Sequence, residues 1–323
     1  MSYNNYFIPV MLSAALKMGK PYGSFINGLP VVLFRGQDGQ IKAFEDACPH
    51  RGAKLSDGRL KGGDLECPYH GWRFNEAGSN TLVPVKNGRV SCTLKSVHAI
   101  ESFGIVWLSC EPNSILPVLN TAYANLVFSG SIEATLANAL ENFLEGSHTH
   151  FVHNGFIRSR EQKRQKVKAR LEPGINGFSV RYEQEPAKGI LTKLLPKRYR
   201  VLSPVVTYIF PFTAILEYYN GEKLIFRAET ILNESGENLT YYARSFIDIG
   251  PLSTLASFFV RPLLQKIVRQ DKQILEQQNK NIKKIPELHF FSDSTDAVGK
   301  ELHAWLFSPD RRSRHIVNFE VYW

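Results

Sequence analysis

Cysteine is scarce in this 323-residue chain: Cys48, Cys67, Cys92 and Cys110 are all it has. That excludes a scaffold built on disulfides, which takes a far larger share of cysteine in a shorter chain. Long apolar runs are missing as well. No stretch reaches the ~18 uninterrupted apolar residues of a spanning helix, so no membrane span is expected. Residues 7–16 come nearest to a secretory core, but no basic segment precedes them and Pro9 interrupts them. A first strand and a short helix are expected there instead. Internal repeats, low-complexity tracts and nucleic-acid-binding motifs are also lacking. Positive charge, by contrast, is plentiful: 39 Lys and Arg face 30 Asp and Glu, a formal net charge of +9. A basic surface attracts an anionic partner. Nucleic acid is one candidate, but no nucleic-acid module appears; an acidic protein is another. Unbridged thiols and an ordinary share of apolar residues suit a cytoplasmic globular enzyme.

The pattern divides the chain in two. Residues 23–120 alternate short apolar runs, such as Val31-Val32-Leu33-Phe34 and Ile105-Val106-Trp107-Leu108, with turn signals such as Gln37-Asp38-Gly39 and Lys61-Gly62-Gly63. They predict a small all-β domain, with residues 111–117 as its exit. From about residue 131, Leu136, Leu140, Phe143 and Leu144 recur at helical spacing and predict a helix ending near His148. A basic run at 158–170 follows. Strands are then expected at about 166–171, 178–184, 203–219 (one or two), 223–232 and 238–248. Asn176-Gly177, Asn220-Gly221 and Ser235-Gly236 punctuate them, which suits an antiparallel sheet. A helix from near Pro251 to about Ile282 should be kinked or divided by Pro262. The expected fold class is α+β: an all-β domain at 1–120, and a sheet-and-long-helix domain at 121–323.

Two short segments carry the chemistry of the first domain. They read Cys48-Pro49-His50-Arg51-Gly52 and, sixteen residues after His50, Cys67-Pro68-Tyr69-His70-Gly71-Trp72. Thiolates and imidazoles in two close pairs make a four-ligand metal site. Two cysteines on one iron and two histidines on the other is the Rieske [2Fe–2S] arrangement. A Cys₂His₂ zinc site uses the same residue types but groups Cys with Cys and His with His. The segments CPHRGAKLSDG and CPYHGWRF resemble the N-terminal domain of the Rieske non-haem iron oxygenases. The Rieske proteins of respiratory complexes differ in carrying a disulfide pair in their two loops. Cys92 and Cys110 lie outside the loops and read as small buried hydrophobes.

About 200 residues remain beyond the cluster domain. Among them, residues 141–153 hold three histidines, His148, His150 and His153, at the end of an amphipathic stretch. Mononuclear iron(II) in oxygenases takes two histidines and one carboxylate and leaves positions open. Spacing alone does not choose among the three. In the late helix, Asp271 is four residues from both Ile267 and Leu275, which puts it on the apolar stripe with Leu264, Val268 and Ile274. An acid there needs a metal or a basic partner, and spacing leaves both open.

The resemblance implies choices. The family pattern of an acid, two residues, His, four residues, His selects Glu145, His148 and His153 and leaves His150 outside the ligand set. Gln270-Asp271-Lys272 is similar to the family helix that supplies the carboxylate, making Asp271 the third ligand and Glu276 its rival. The family usually has Asp at the position of Glu145, where the acid links a cluster histidine of one subunit to an iron histidine of the next. Asn142 matches a position near the iron. The resemblance further implies a helix-grip catalytic domain, a homotrimer, O₂ as co-substrate, and electrons from NAD(P)H through a flavin reductase with or without a ferredoxin. It implies hydroxylation or demethylation of a small aromatic or apolar molecule, or cis-dihydroxylation or desaturation on the same irons. Tyr208, Phe210, Leu216, Tyr218 and Phe226 are candidates for the pocket, or equally for core. The basic run, with Arg158, Arg160, Lys163, Arg164, Lys166, Lys168 and Arg170, is a solvated face or a docking patch for the redox partner. The competing function is a pure electron carrier whose second domain has lost its iron.

Overall fold

Turn chemistry organises the first third of the chain. In the computed structural model, β1 (Ile8–Leu12), β2 (Tyr22–Ile26), β3 (Leu29–Arg35), β4 (Ile41–Glu45), β5 (Arg59–Lys61), β6 (Asp64–Glu66), β7 (Arg73–Phe74), β8 (Asn80–Leu82), β9 (His98–Ser102) and β10 (Ile105–Ser109) form three antiparallel sheets. Their orders are β1-β10-β9, β2-β3-β4 and β5-β6-β7-β8. The structure describes residues 3–117, 119, 126–158, 164–183, 185–186, 199, 201–235, 238–250, 253–285 and 287–322. The expected boundary at 120/121, Arg160, Lys163, Gly236 and Pro251 lie outside these. The chain divides into two compact units, Met1–Leu119 and Asn120–Trp323.

One apolar core sits beneath the two loops of the first unit. Val32, Phe34, Phe44, Leu55, Leu65, Phe74 and Leu94 pack around Cys48 and Cys67 themselves. Each fully buried side chain of this kind contributes roughly 1.5–3 kcal/mol. The loops are held by ion pairs and hydrogen bonds at their feet. Buried Asp46 accepts from the Ser56 amide at 2.7 Å and the Ser56 hydroxyl at 2.5 Å. Glu66, on the strand entering the second loop, is bracketed by Arg59 at 2.6 Å and Arg73 at 2.7 Å. Cys110, expected among buried apolar residues, is exposed because it follows the end of β10.

In the second unit, Asn-Gly turns and alternating burial give a nine-stranded antiparallel sheet. Its strands are β11 (Leu126–Ile132), β12 (Lys166–Gly174), β13 (Gly177–Tyr182), β14 (Glu185–Pro186), β15 (Val201–Ile209), β16 (Thr213–Asn220), β17 (Lys223–Ser235), β18 (Asn238–Ile247) and β19 (Val317–Tyr322). The order is β11-β18-β17-β16-β15-β13-β12-β19, with β14 paired to β15. The expected stretch 203–219 is two strands, separated at the cis bond Phe210–Pro211. Among the described residues three α-helices accompany the sheet: α1 (Leu136–Leu144), α2 (Ser253–Lys284) and α3 (Ala297–Phe307). Pro262 does not divide α2, which continues through it as one helix of 32 residues. Proline's fixed φ is helical, so the loss is limited to one hydrogen bond and a local clash. Ile274, expected on the buried stripe, is 40% exposed. The buried positions along this part of α2 are Asp271, Leu275 and Asn279, at a strict four-residue spacing.

Pairing register assigns the two faces of the sheet. Glu217 opposes Arg227 and Glu229 opposes Arg244, so these four charges share one face. Arg227 donates to Glu217 at 2.5 Å and to Glu229 at 2.8 Å, and Arg244 donates to Glu229. Tyr208 pairs with Ala214 on the opposite face, where it meets Trp305 of α3 at 6.4 Å between ring centroids. α3 therefore lies on the Tyr208 face. Glu229 is 3% exposed and holds two guanidinium groups. Replacing it removes the carboxylate the two guanidinium groups share and leaves Arg227 with Glu217 as its acid among the described residues. Glu229→Leu should destabilise the chain by about 3–5 kcal/mol, read as a lowered urea midpoint with an unchanged slope.

Candidate metal centres

The two cluster loops are twins in backbone. In the first, the Gly52 amide donates to the Cys48 carbonyl at 2.8 Å and the Cys48 amide to Ala53 at 2.8 Å. In the second, Gly71 donates to Cys67 at 3.1 Å and Cys67 to Trp72 at 2.8 Å. Gly52 and Gly71 sit at φ +71° and +68°, a left-handed conformation that favours glycine. The same turn thus presents each Cys and, two or three residues later, each His. Both thiols are 3% exposed, and the His50 and His70 rings lie 4.6 Å apart. Burial, with the neighbouring Cys67, pushes the Cys48 thiol up to about 11. His50 is held below its ordinary value by burial and by His70 and Arg51, and its Nδ1 is buried without a hydrogen-bond partner. Two buried thiols and an orphaned imidazole nitrogen on matched loops fit a [2Fe–2S] cluster. Two aromatic residues frame the site, neither of them given a role by sequence reasoning. Trp72 stacks on His50 at 4.6 Å and 6°, and Tyr69 lies over His70 at 3.7 Å.

The second centre depends on a helix that stops early. Thr135 caps α1, accepting from the Asn138 amide at 3.2 Å. The helix was expected to reach His148 but ends at Leu144, because Glu145 turns extended (φ −94°, ψ 150°). A short 3₁₀ turn, Ser147–His150, follows. This break points His148 and His153 at the middle of α2. Ligand atoms of His148, His153 and Asp271 all lie within 4.8 Å of one another. Asp271 Oδ1 is 3.0 Å from His153 Nε2 and 3.5 Å from His148 Nε2. Neither contact has hydrogen-bond geometry, so this oxygen of a 3%-exposed carboxylate has no partner among the described residues. Such a donor set fits a divalent metal, which would relieve the cost of burying the acid.

Both imidazoles are gripped at the far nitrogen. His148 Nδ1 meets Glu145 Oε1 at 2.5 Å, and His153 Nδ1 meets Gln270 Oε1 at 3.1 Å. Gln270 was missed as a contact, although its place beside Asp271 was a signal. Burial raises Glu145, but His148 and the Ser147 amide outweigh it and hold the carboxyl below its usual range. Burial likewise lowers His148, and Glu145 outweighs it to leave the imidazole raised.

The other candidates sit elsewhere. Glu276 accepts from the Glu133 amide at 3.3 Å and lies 3.5 Å from Lys272. Asn142, half-buried on α1, keeps a buried Nδ2 without a hydrogen-bond partner among the described residues and is not in the triad. His150 is also outside the triad, 2% exposed, with an unpartnered Nε2. Arg158, counted as part of a solvated basic run, is 5% exposed. It donates to the Thr149 hydroxyl at 2.6 Å and the Gly146 carbonyl at 3.1 Å, clamping the histidine turn from behind. Lys166, Lys168 and Arg170 do face solvent on β12, but each has an acid near it: Glu320, Glu183 and Glu172. Of the pocket candidates, Tyr208 is core, its hydroxyl donating to the Pro211 carbonyl at 3.1 Å. Tyr218 and Phe226 are half-buried at 6.2 Å from one another.

Comparison with known proteins decides what these centres belong to. A Rieske [2Fe-2S] domain model matches residues 6–100. The model of the vanillate O-demethylase oxygenase C-terminal domain matches residues 132–306, more than half the chain. The chain belongs to the Rieske non-haem iron oxygenases. Its relatives include the protein TIC 55 of Arabidopsis thaliana chloroplasts, 26% identical over 92% of this chain and 58% of the relative. The oxygenase subunit of vanillate O-demethylase from Pseudomonas sp. is 24% identical over 87% of each chain. The oxygenase thus spans only 58% of the length of the first of these. Crystalline dicamba monooxygenase bound to dicamba shares the fold, with a TM-score of 0.79, 21% identity, and coverage of 96% of this chain and 99% of that one. Proteins of this family carry a [2Fe–2S] cluster and a mononuclear iron, and the two donor sets described above fit those groups. No helix among the described residues is long and apolar enough to cross a membrane.

His150 gives this oxygenase a pH signature. Burial and the charges of Arg158 and Arg164 push its imidazole down to about 4, from an ordinary 6.5. Between these values the unfolded chain takes up a proton that the folded chain refuses. Stability therefore falls as pH drops from 6.5 towards 4. His150→Gln should flatten the melting temperature across that window, and an unchanged slope would show that the ring is not held neutral.

Proposed function

We propose that the protein is the oxygenase component of a multi-component system that oxidises a small aromatic molecule, by demethylation of a methoxy group or by ring or side-chain hydroxylation. The observation that carries this is the convergence of His148, His153 and Asp271 in a chain that also holds a four-ligand cluster site. An electron carrier has no use for the buried triad. The names of the relatives, which act on vanillate and on dicamba, favour an aromatic substrate. For a methoxy substrate the balance is one O₂, two electrons and two protons in, and phenol, formaldehyde and water out.

In this reading Cys48, His50, Cys67 and His70 hold the cluster, and His148, His153 and Asp271 hold iron(II). When bound, the two groups supply single-electron storage and O₂ activation. The chain supplies geometry. Asp271 offsets the metal's charge in a site it shares with His153, which is 1% exposed. Glu145 fixes His148 with Nε2 towards the triad by accepting a hydrogen bond from its Nδ1–H. Its Oε1 already takes the His148 ring and amide, but its Oε2, which accepts from the Ser147 amide at 2.5 Å, has room for a second donor, and its side chain is 25% exposed. A cluster histidine of a neighbouring copy in a homotrimer is the partner proposed for that remaining capacity. Electrons would arrive from NAD(P)H through a flavin reductase, with or without a ferredoxin. The chain's net charge of +9 suits an acidic donor.

Metal analysis tests the reading: three irons per chain are expected, whereas a carrier would hold two. His148→Ala should lose one iron and all turnover while keeping the Rieske electron paramagnetic resonance signal. A variant that still retained the third iron would remove His148 from the ligand set. Glu145→Gln should keep every iron yet slow single-turnover electron transfer between the centres by about 10-fold or more.

A further inference from the structure

The two histidines of the triad are held by different chemistry. His148 Nδ1 faces a carboxylate, Glu145, at 2.5 Å. His153 Nδ1 faces a neutral amide oxygen, Gln270 Oε1, at 3.1 Å. A neutral imidazole carries one N–H, and the partner of one nitrogen decides which nitrogen is left to bind a metal. An amide oxygen only accepts, so Gln270 keeps the proton on Nδ1 and leaves Nε2 bare. That bare nitrogen lies 3.0 Å from Asp271 Oδ1. His153 is 1% exposed, so bulk water is not at hand to replace the amide.

Consecutive residues of α2 therefore face opposite edges of one ring, Gln270 holding Nδ1 by a hydrogen bond and Asp271 lying 3.0 Å from Nε2 without one. Neighbouring helical side chains diverge by about 100°, and an imidazole is wide enough to fill that angle. The partners differ in strength too. A short bond to a carboxylate is charge-assisted and roughly twice as strong as a neutral one, and it raises the basicity of the ligand it orients.

We propose that Gln270 is a positioning residue for the mononuclear iron: its amide oxygen sets the tautomer and angle of His153, and its neutrality makes His153 the weaker of the two histidine donors. The proposal rests on the reading that His148, His153 and Asp271 bind iron(II). With a metal bound, an uncharged acceptor at His153 and a carboxylate at His148 would make the two imidazoles unequal ligands.

The test uses the full-length protein with its cluster loaded and its mononuclear iron removed by chelation. Ferrous ion is titrated back against a competing chelator. Gln270→Leu, which keeps the bulk and removes the acceptor, should bind iron 10- to 100-fold more weakly. Gln270→Glu, which restores an acceptor with charge, should bind at least as tightly as the unaltered protein. An unaltered Rieske signal in both variants reports that the chain has folded. Binding by Gln270→Leu within about threefold of the unaltered protein, far inside the expected range, overturns the proposal. So does a Gln270→Glu variant as weak as Gln270→Leu. His153→Ala separates the layers: if it binds iron normally the triad itself is wrong, whereas if it fails while Gln270→Leu binds normally only the role of Gln270 falls.

Discussion

A carboxylate 3% exposed in the middle of a long helix is the constraint on which the catalytic unit turns. Burying Asp271 costs several kcal/mol unless positive charge meets it, and no Lys or Arg is seen bridging it among the described ion pairs. What meets it instead is a pair of imidazoles from a segment 117 residues away in the case of His153 and Gln270. The rest of the unit makes that meeting repeatable. Sheet pairing fixes the entry to α1, Thr135 fixes its start, the extended Glu145 fixes its stop, and Arg158 braces the turn beyond. Each device is local and modest in energy. Together they deliver three donor groups to one point.

The charge network on the far face of the sheet follows the same logic without a metal. Glu217, Arg227, Glu229 and Arg244 alternate in sign across three neighbouring strands, so each buried charge has an opposite one beside it. Fully paired, such a set is tolerated and specifies register, because a shift of one residue would send every charge to the other face. It keeps β16, β17 and β18, the centre of the sheet, in one alignment beneath the helices.

Much of this was legible in the sequence where the determinants are close together. The residues proposed to hold the cluster sit in windows of five and six residues whose Pro and Gly announce the turns. Two of the hairpins, β12–β13 and β16–β17, have an Asn-Gly pair at the turn, residue types that a tight turn favours. Legibility failed where the deciding partner is distant. β11 and β19 are the two ends of the sheet, and β19 is recruited by β12 from about 150 residues upstream. The end of α1 depends on Glu145, a good helix former that leaves the helix to bond His148. Arg158 looks like surface charge in any local window, yet its partners Thr149 and Gly146 draw it inside. For the triad, spacing put Asp271 on the buried stripe but could not say whether a metal or an arginine waited there. Family resemblance named the histidines, and the geometry brings the same three residues together.

The twin loops of the first unit have one further consequence. Their cysteines are part of the apolar core, while Tyr69 and His70 are exposed and His50 is half-exposed. A cluster seated there has an inner and an outer pole. Its thiolate end is wrapped in hydrocarbon and out of reach; its imidazole end is at the surface, edged by two aromatic rings. Electron tunnelling falls off steeply with distance, so the outer pole is the terminal through which charge would enter and leave. The cysteine side would serve as an insulated mounting, because the side chains that fold the domain also keep solvent from both sulfurs.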